Sequence, residues 1–105
     1  MAIFFMVSRH SPENCPMFNE KARKIWLDYA NKSEELLKKH GGKPLGAWVV
    51  PTEHLSYWVF EVPSLDAYQK LGMEPLILEL SKYETYEIKF AYSMEEVTQM
   101  LQQAK

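Results

Sequence analysis

Residues 44–62 read PLGAWVVPTEHLSYWVFEV, two runs rich in Val, Trp, Tyr and Phe (44–50 and 55–62) joined by the link PTEH. β-Branched and aromatic side chains suit a pleated, half-buried surface, and a link of hairpin length makes the two runs antiparallel neighbours. Alternation assigns their faces. Trp48 and Val50 oppose Leu45, Ala47 and Val49, and Leu55, Tyr57 and Val59 oppose Trp58, Phe60 and Val62. Both faces of both strands are therefore apolar. Residues 2–10, AIFFMVSRH, repeat the pattern, with Ile3, Phe5 and Val7 against Phe4 and Met6. Only 85–92, TYEIKFAY, alternates cleanly, with Glu87 and Lys89 opposite Tyr86, Ile88 and Phe90.

The connecting segments change to a helical period. From Phe18 to His40, residues Ala22, Ile25, Trp26, Tyr29, Ser33, Leu36 and Leu37 fall on one stripe, and Gly41-Gly42 supply a stop. Ser64 is placed to cap a second helix through Leu65, Tyr68 and Leu71. Gly72 and Pro75 interrupt it before PLILEL resumes. Ser93–Glu96, SMEE, has capping-box form ahead of Val97, Met100 and Leu101, which predicts a short C-terminal helix. The order is βαββαβ plus one helix: a ferredoxin-like α+β sandwich with a four-stranded antiparallel sheet, one domain over residues 1–105. Right-handed crossovers put strand 3 and strand 4 on either side of strand 1, with strand 2 outermost.

Two helices cover only one face of such a sheet. The other apolar face calls for a second copy, so a homodimer through the sheet face is expected, with a higher oligomer as its extension. A partner covering about 800 Å² per subunit at about 25 cal/mol per Å² supplies on the order of 20 kcal/mol before association entropy. A monomer whose C-terminal helix folds over that face is the alternative.

With these elements the chain resembles the dimeric α+β barrel superfamily. LGAWVVPTEHLSYWVFEVPSLDAYQKL, followed by MEPLILEL and TYEIKFAYSMEEV, is similar to small stand-alone members of unestablished function. The resemblance implies the dimeric barrel fold. The superfamily includes monooxygenases, isomerases, chlorite-dismutase-like haem enzymes and ligand-sensing domains, and no single branch's catalytic motif is matched residue for residue.

Composition narrows the classes. Net charge is −2, with twelve Lys and Arg dispersed among fourteen Asp and Glu. The densest basic group, Lys21, Arg23 and Lys24, reads as a solvated helix face, so no nucleic-acid partner is expected. No stretch approaches the ~20 apolar residues of a membrane span, and Met1–Val7 lacks the basic start of a signal peptide. A single cysteine, Cys15, excludes an internal disulfide. The expectation is a cytoplasmic protein without a membrane partner.

Chemistry gathers at one edge of the predicted sheet. Strand 1 ends at His10, the loop with Cys15 follows, and the hairpin ends at His54. Strands 1 and 3 are neighbours, so the two His should lie within about a side-chain length. The end of strand 4, Ala91-Tyr92, is expected at the same edge, and His40 at the opposite one in a structural role. His10 is the predicted catalytic residue, a proton-transfer group in a pocket under the first helix. His54, Cys15, Trp48, Tyr57 and Trp58 are the predicted ligand-binding residues. A helix or turn starting at Pro16 would put Cys15 at an N-cap, where backbone N–H groups favour thiolate. No CxxC or HExxH spacing is present, so no metal and no cofactor are expected. The resulting function is binding of a small organic ligand, with cofactor-free isomerase- or monooxygenase-like turnover as its enzymatic form. A non-catalytic ligand-sensing or assembly module is the alternative, and a metal- or haem-binding protein a further one.

Overall fold

The computed structural model describes residues 2–104. Strands β1 (Ala2–Arg9), β2 (Lys43–Val50), β3 (Leu55–Val62) and β4 (Thr85–Ala91) alternate with helices α1 (Glu20–Lys39), α2 (Leu65–Gly72) and α3 (Pro75–Leu80), and α4 (Met94–Gln103) closes the chain. The sheet order is β2-β3-β1-β4 with every neighbour antiparallel. This is the ferredoxin-like fold.

The register sorts side chains into rows across the face that carries the helices. Phe60, Phe4 and Phe90 form one row, Ala47, Trp58, Met6 and Ile88 the next, and Val49, Ser56, Ser8 and Tyr86 the third. The aromatic row is the core. Phe4 stacks on Tyr68 of α2 at 4.5 Å between centroids, and Leu37, Val62 and Leu71 close around it. The third row is polar because two buried serines sit in it. Trp58 Nε1 donates to Ser56 Oγ at 2.7 Å, and Ser8 Oγ donates to Glu84 Oε2 at 2.5 Å.

The opposite face is bare. Ile3, Phe5, Val7, Trp48, Tyr57 and Val59 spread over β1, β2 and β3, and Phe5, Trp48 and Tyr57 are 46%, 60% and 42% exposed. Glu87 and Lys89 of β4 bound the patch on one side, where Arg9 pairs with Glu87 at 3.3 Å. Helix α4 does not fold over this face and packs closely against no other described element. Met94, Met100 and Leu101 are all more than half exposed, and the chain is elongated to 55 × 29 × 17 Å. Its radius of gyration, 15.5 Å, exceeds the ~13 Å of a compact chain of this length. The covered monomer is thereby set aside.

Helix caps follow the sequence signals. Ser64 caps α2 through the Ala67 N–H, and Ser93 with Glu96 forms a reciprocal capping box at α4. α1 begins two residues later than its period suggests, because Asn19 takes the N-cap. Its Oδ1 accepts from the Ala22 N–H at 3.0 Å, and its Nδ2 donates to the Glu13 carbonyl at 3.1 Å. One side chain thus starts the helix and ties down the preceding loop. Asn19→Ala is expected to cost about 1 kcal/mol in urea unfolding, within the ~0.5–2 range for lost caps. A loss below the error of the measurement would show that the cap is redundant.

Candidate functional site

Two hollows carry the polar chemistry. One, about 340 Å³, lies between the sheet and α1, α2 and α3. Met6, Trp58, Phe60 and Tyr86 form its floor, Tyr29 and Leu36 one wall, and Leu71 and Ile77 the other. Small residues, Ala47 on β2 and Gly72 ending α2, are part of its lining and leave room in it. Its size falls at the lower end of ordinary ligand pockets, about 300–1,000 Å³. The shallower hollow lies at the edge of the sheet, among Arg9, His10, Asn14, Tyr83 and Glu84. Ser81 lines both.

At that edge the structure brings His10, His54 and Cys15 together. The His10 N–H donates to the His54 carbonyl at 3.1 Å, which continues the β1–β3 ladder by one bond. The rings meet edge-on, centroids 5.3 Å apart and planes at 77°. His54 takes the left-handed conformation, φ 54° and ψ 43°, closing the single 3₁₀ turn Pro51–Glu53 of the hairpin. Cys15 closes a similar turn, Pro12–Asn14, and is buried. Its loop is held by Arg23, whose guanidinium donates to the Pro16 and Met17 carbonyls at 2.8 and 3.1 Å. Arg23 is thus a loop clamp as well as part of a charged helix face. Cys15 does not cap α1, whose N-cap is Asn19; it begins only the short turn that follows, its carbonyl accepting from the Phe18 and Asn19 N–H groups at 2.9 and 2.8 Å.

A fourth residue joins them. β4 runs antiparallel to β1, pairing Arg9 with Thr85 and Ile3 with Ala91. The beginning of β4 therefore lies at the His10 edge, and Ala91-Tyr92 lies at the far end, contrary to expectation. What arrives instead is Glu84, buried at 8% exposure with one oxygen 3.8 Å from His10 Nδ1. Burial pushes the Glu84 carboxyl up, against the Ser8 hydrogen bond that pulls it down. Burial, and then the nearby His54, pull His10 below its ordinary value. Tyr29 and Tyr86 are pushed well up by burial, with the Glu84 charge adding to it. The Tyr86 hydroxyl, His10 Nε2 and His54 Nδ1 are buried with no hydrogen-bond partner.

The aromatic residues divide. Trp58 lines the inner cavity and Tyr29 packs edge-on against it at 4.9 Å. Trp48 and Tyr57 point to the bare face, away from both hollows, and the Trp48 ring lies over Gly46, where an added Cβ would meet it at 2.4 Å. His40 sits at the opposite edge, capping α1 with Nε2 3.4 Å from Glu74. No described helix is long and apolar enough to cross a membrane.

No protein-family model matches the sequence, and no curated protein does either. Solved structures do resemble it. An uncharacterized NIPSNAP domain protein from Burkholderia xenovorans superposes with a TM-score of 0.60 at 12% identity, over 89% of this chain and 94% of that one. An antibiotic biosynthesis monooxygenase gives 0.59 at 12% identity, over 90% and 99%. A dimeric ferredoxin-like protein from an uncultured marine organism gives 0.54 at 17%, over 90% and 95%. At such identities the likeness is one of fold.

Proposed function

We propose that this chain is a homodimeric α+β barrel that binds a small organic molecule in the cavity between its sheet and α1–α3. The observation that carries the reading is the Tyr86 hydroxyl, buried without a partner in a residue that lines an apolar cavity. A buried polar group left unpaired costs about 1–3 kcal/mol. A mostly apolar ligand with one hydrogen-bonding group recovers that cost and fills the space. The ligand class is accordingly a small aromatic or aliphatic molecule with a single hydroxyl, carbonyl or similar group. His10 lies outside this cavity, so the binding reading does not depend on it. The free thiol of Cys15 suits a reducing, cytoplasmic setting.

Two features support the homodimer. The bare apolar face and the projecting α4 each leave large apolar side chains in water, and a second copy is the self-complementary cover for both. One of the structures with this fold is described as dimeric.

Calorimetric titration with 2-naphthol, a fused ring bearing one hydroxyl, tests the cavity. One molecule per protomer is expected. Gly72→Phe should weaken binding, because Gly72 lines the cavity and no atom within 4 Å of its Cβ keeps a larger side chain out. Tyr86→Phe should weaken it about tenfold, or 1.4 kcal/mol, while raising the melting temperature of the free protein. Equal affinity in the parent and Gly72→Phe would place the ligand elsewhere and overturn the reading.

A further inference from the structure

We propose that His10, His54 and Cys15 form a binding site for one borderline transition-metal cation of the zinc class. Each residue offers one ligand atom, and the three atoms lie within 4.8 Å of one another. A tetrahedral zinc with bonds of about 2.0–2.3 Å needs its nitrogen and sulfur ligands roughly 3.3–3.7 Å apart, so side-chain rotations of about an ångström complete the set. The two ring nitrogens without partners, His10 Nε2 and His54 Nδ1, are the atoms left to coordinate. Two imidazoles and a thiolate suit zinc, cobalt and copper, and disfavour magnesium and calcium.

The surroundings are those of a built site. His54 takes a left-handed backbone conformation, φ 54°, where it closes the hairpin turn beside the end of β1. The His10–His54 backbone hydrogen bond fixes the two ligand-bearing segments to each other, and Arg23 and Asn19 anchor the Cys15 loop. Glu84 faces His10 Nδ1 from behind and is itself held by Ser8. A carboxylate on the far nitrogen is the usual way a protein orients a metal-bound imidazole. With Cys15 as thiolate and Glu84 as carboxylate, the site neutralises a divalent cation. Three protein ligands leave a fourth position open for water or a substrate atom. The absence of a CxxC or HExxH spacing is no obstacle, because the ligands come from two loops that β1–β3 pairing makes adjacent.

The test uses untagged full-length protein, stripped with chelator and kept reduced. Titration with Co²⁺ should saturate at one per protomer and give the sulfur-to-cobalt charge-transfer band together with the intense visible bands of tetrahedral cobalt. Zn²⁺ should bleach both stoichiometrically. Cys15→Ser should remove the charge-transfer band. His54→Asn, which tolerates the same backbone conformation, should lower Zn²⁺ affinity at least a hundredfold with an unchanged circular dichroism spectrum. Glu84→Gln should weaken affinity about tenfold while leaving stoichiometry at one. Octahedral, sulfur-free cobalt spectra, or Zn²⁺ affinity that survives both Cys15→Ser and His54→Asn, would overturn the assignment.

Discussion

Phe5→Glu is expected to turn a dimer into monomers without unfolding the chain. Phe5 lies on the central strand β1, on the bare face, with Val59 and Lys89 as its register partners. In a monomer it is already half exposed, and a carboxylate beside Lys89 is tolerated. In a face-to-face pair it is buried, and twofold symmetry brings in two such charges at once. An uncompensated buried carboxylate costs several kcal/mol. The dissociation constant should therefore rise by a factor of about 10³ or more, at 1.4 kcal/mol per tenfold. Sedimentation velocity at micromolar protein reads this directly, with Leu65→Glu on the exposed side of α2 as the control that stays dimeric. A parent that sediments as a single chain, or a Phe5→Glu variant as dimeric as its parent, would refute sheet-face pairing.

Phe4→Ala probes the other side of the same strand and should be the most destabilising single truncation. Phe4 is 2% exposed, stacked on Tyr68 and flanked by Phe60 and Phe90 at 5.7 and 5.4 Å. Truncating a core Phe removes its transfer energy and leaves a void, about 3–5 kcal/mol together. That is a large part of the ~5–15 kcal/mol that holds a chain of this size folded. Urea unfolding at fixed protomer concentration should show the midpoint falling with little change in slope. A loss under about 1 kcal/mol would mean that the aromatic row is not the core.

The fold was legible because its signals are redundant. β1 and β3 are apolar on both faces over most of their length, α1 keeps one stripe from Ala22 to Leu37, and caps at Ser64 and Ser93 mark helix starts. The candidate site was legible only as far as topology reaches. Pairing of β1 with β3 is enough to bring His10 to His54. Glu84 is hidden from a reading that ends β4 at that edge, whereas a strand antiparallel to β1 must begin there. The signal was available in the sheet order itself. Parity could also have separated Tyr57 from Trp58, since adjacent residues on a strand cannot both face one cavity. The cavity was beyond reach of any pattern. Its existence depends on how far α1 stands from the middle row, and the unpaired state of Tyr86 depends on what that gap contains.

The two outer strands explain why association of this greasy sheet need not run on. β2 carries Pro44 and a register slip between Pro44 and Gly46, and β4 carries Glu87 and Lys89. A proline withholds a ladder donor, a bulge bends the rim out of true, and charges repel an incoming strand. Neither border therefore offers the straight, uncharged rail along which fibrils zip together. The proposed face-to-face pairing would use up the sticky surface once made, so that surface would not become a route to aggregation.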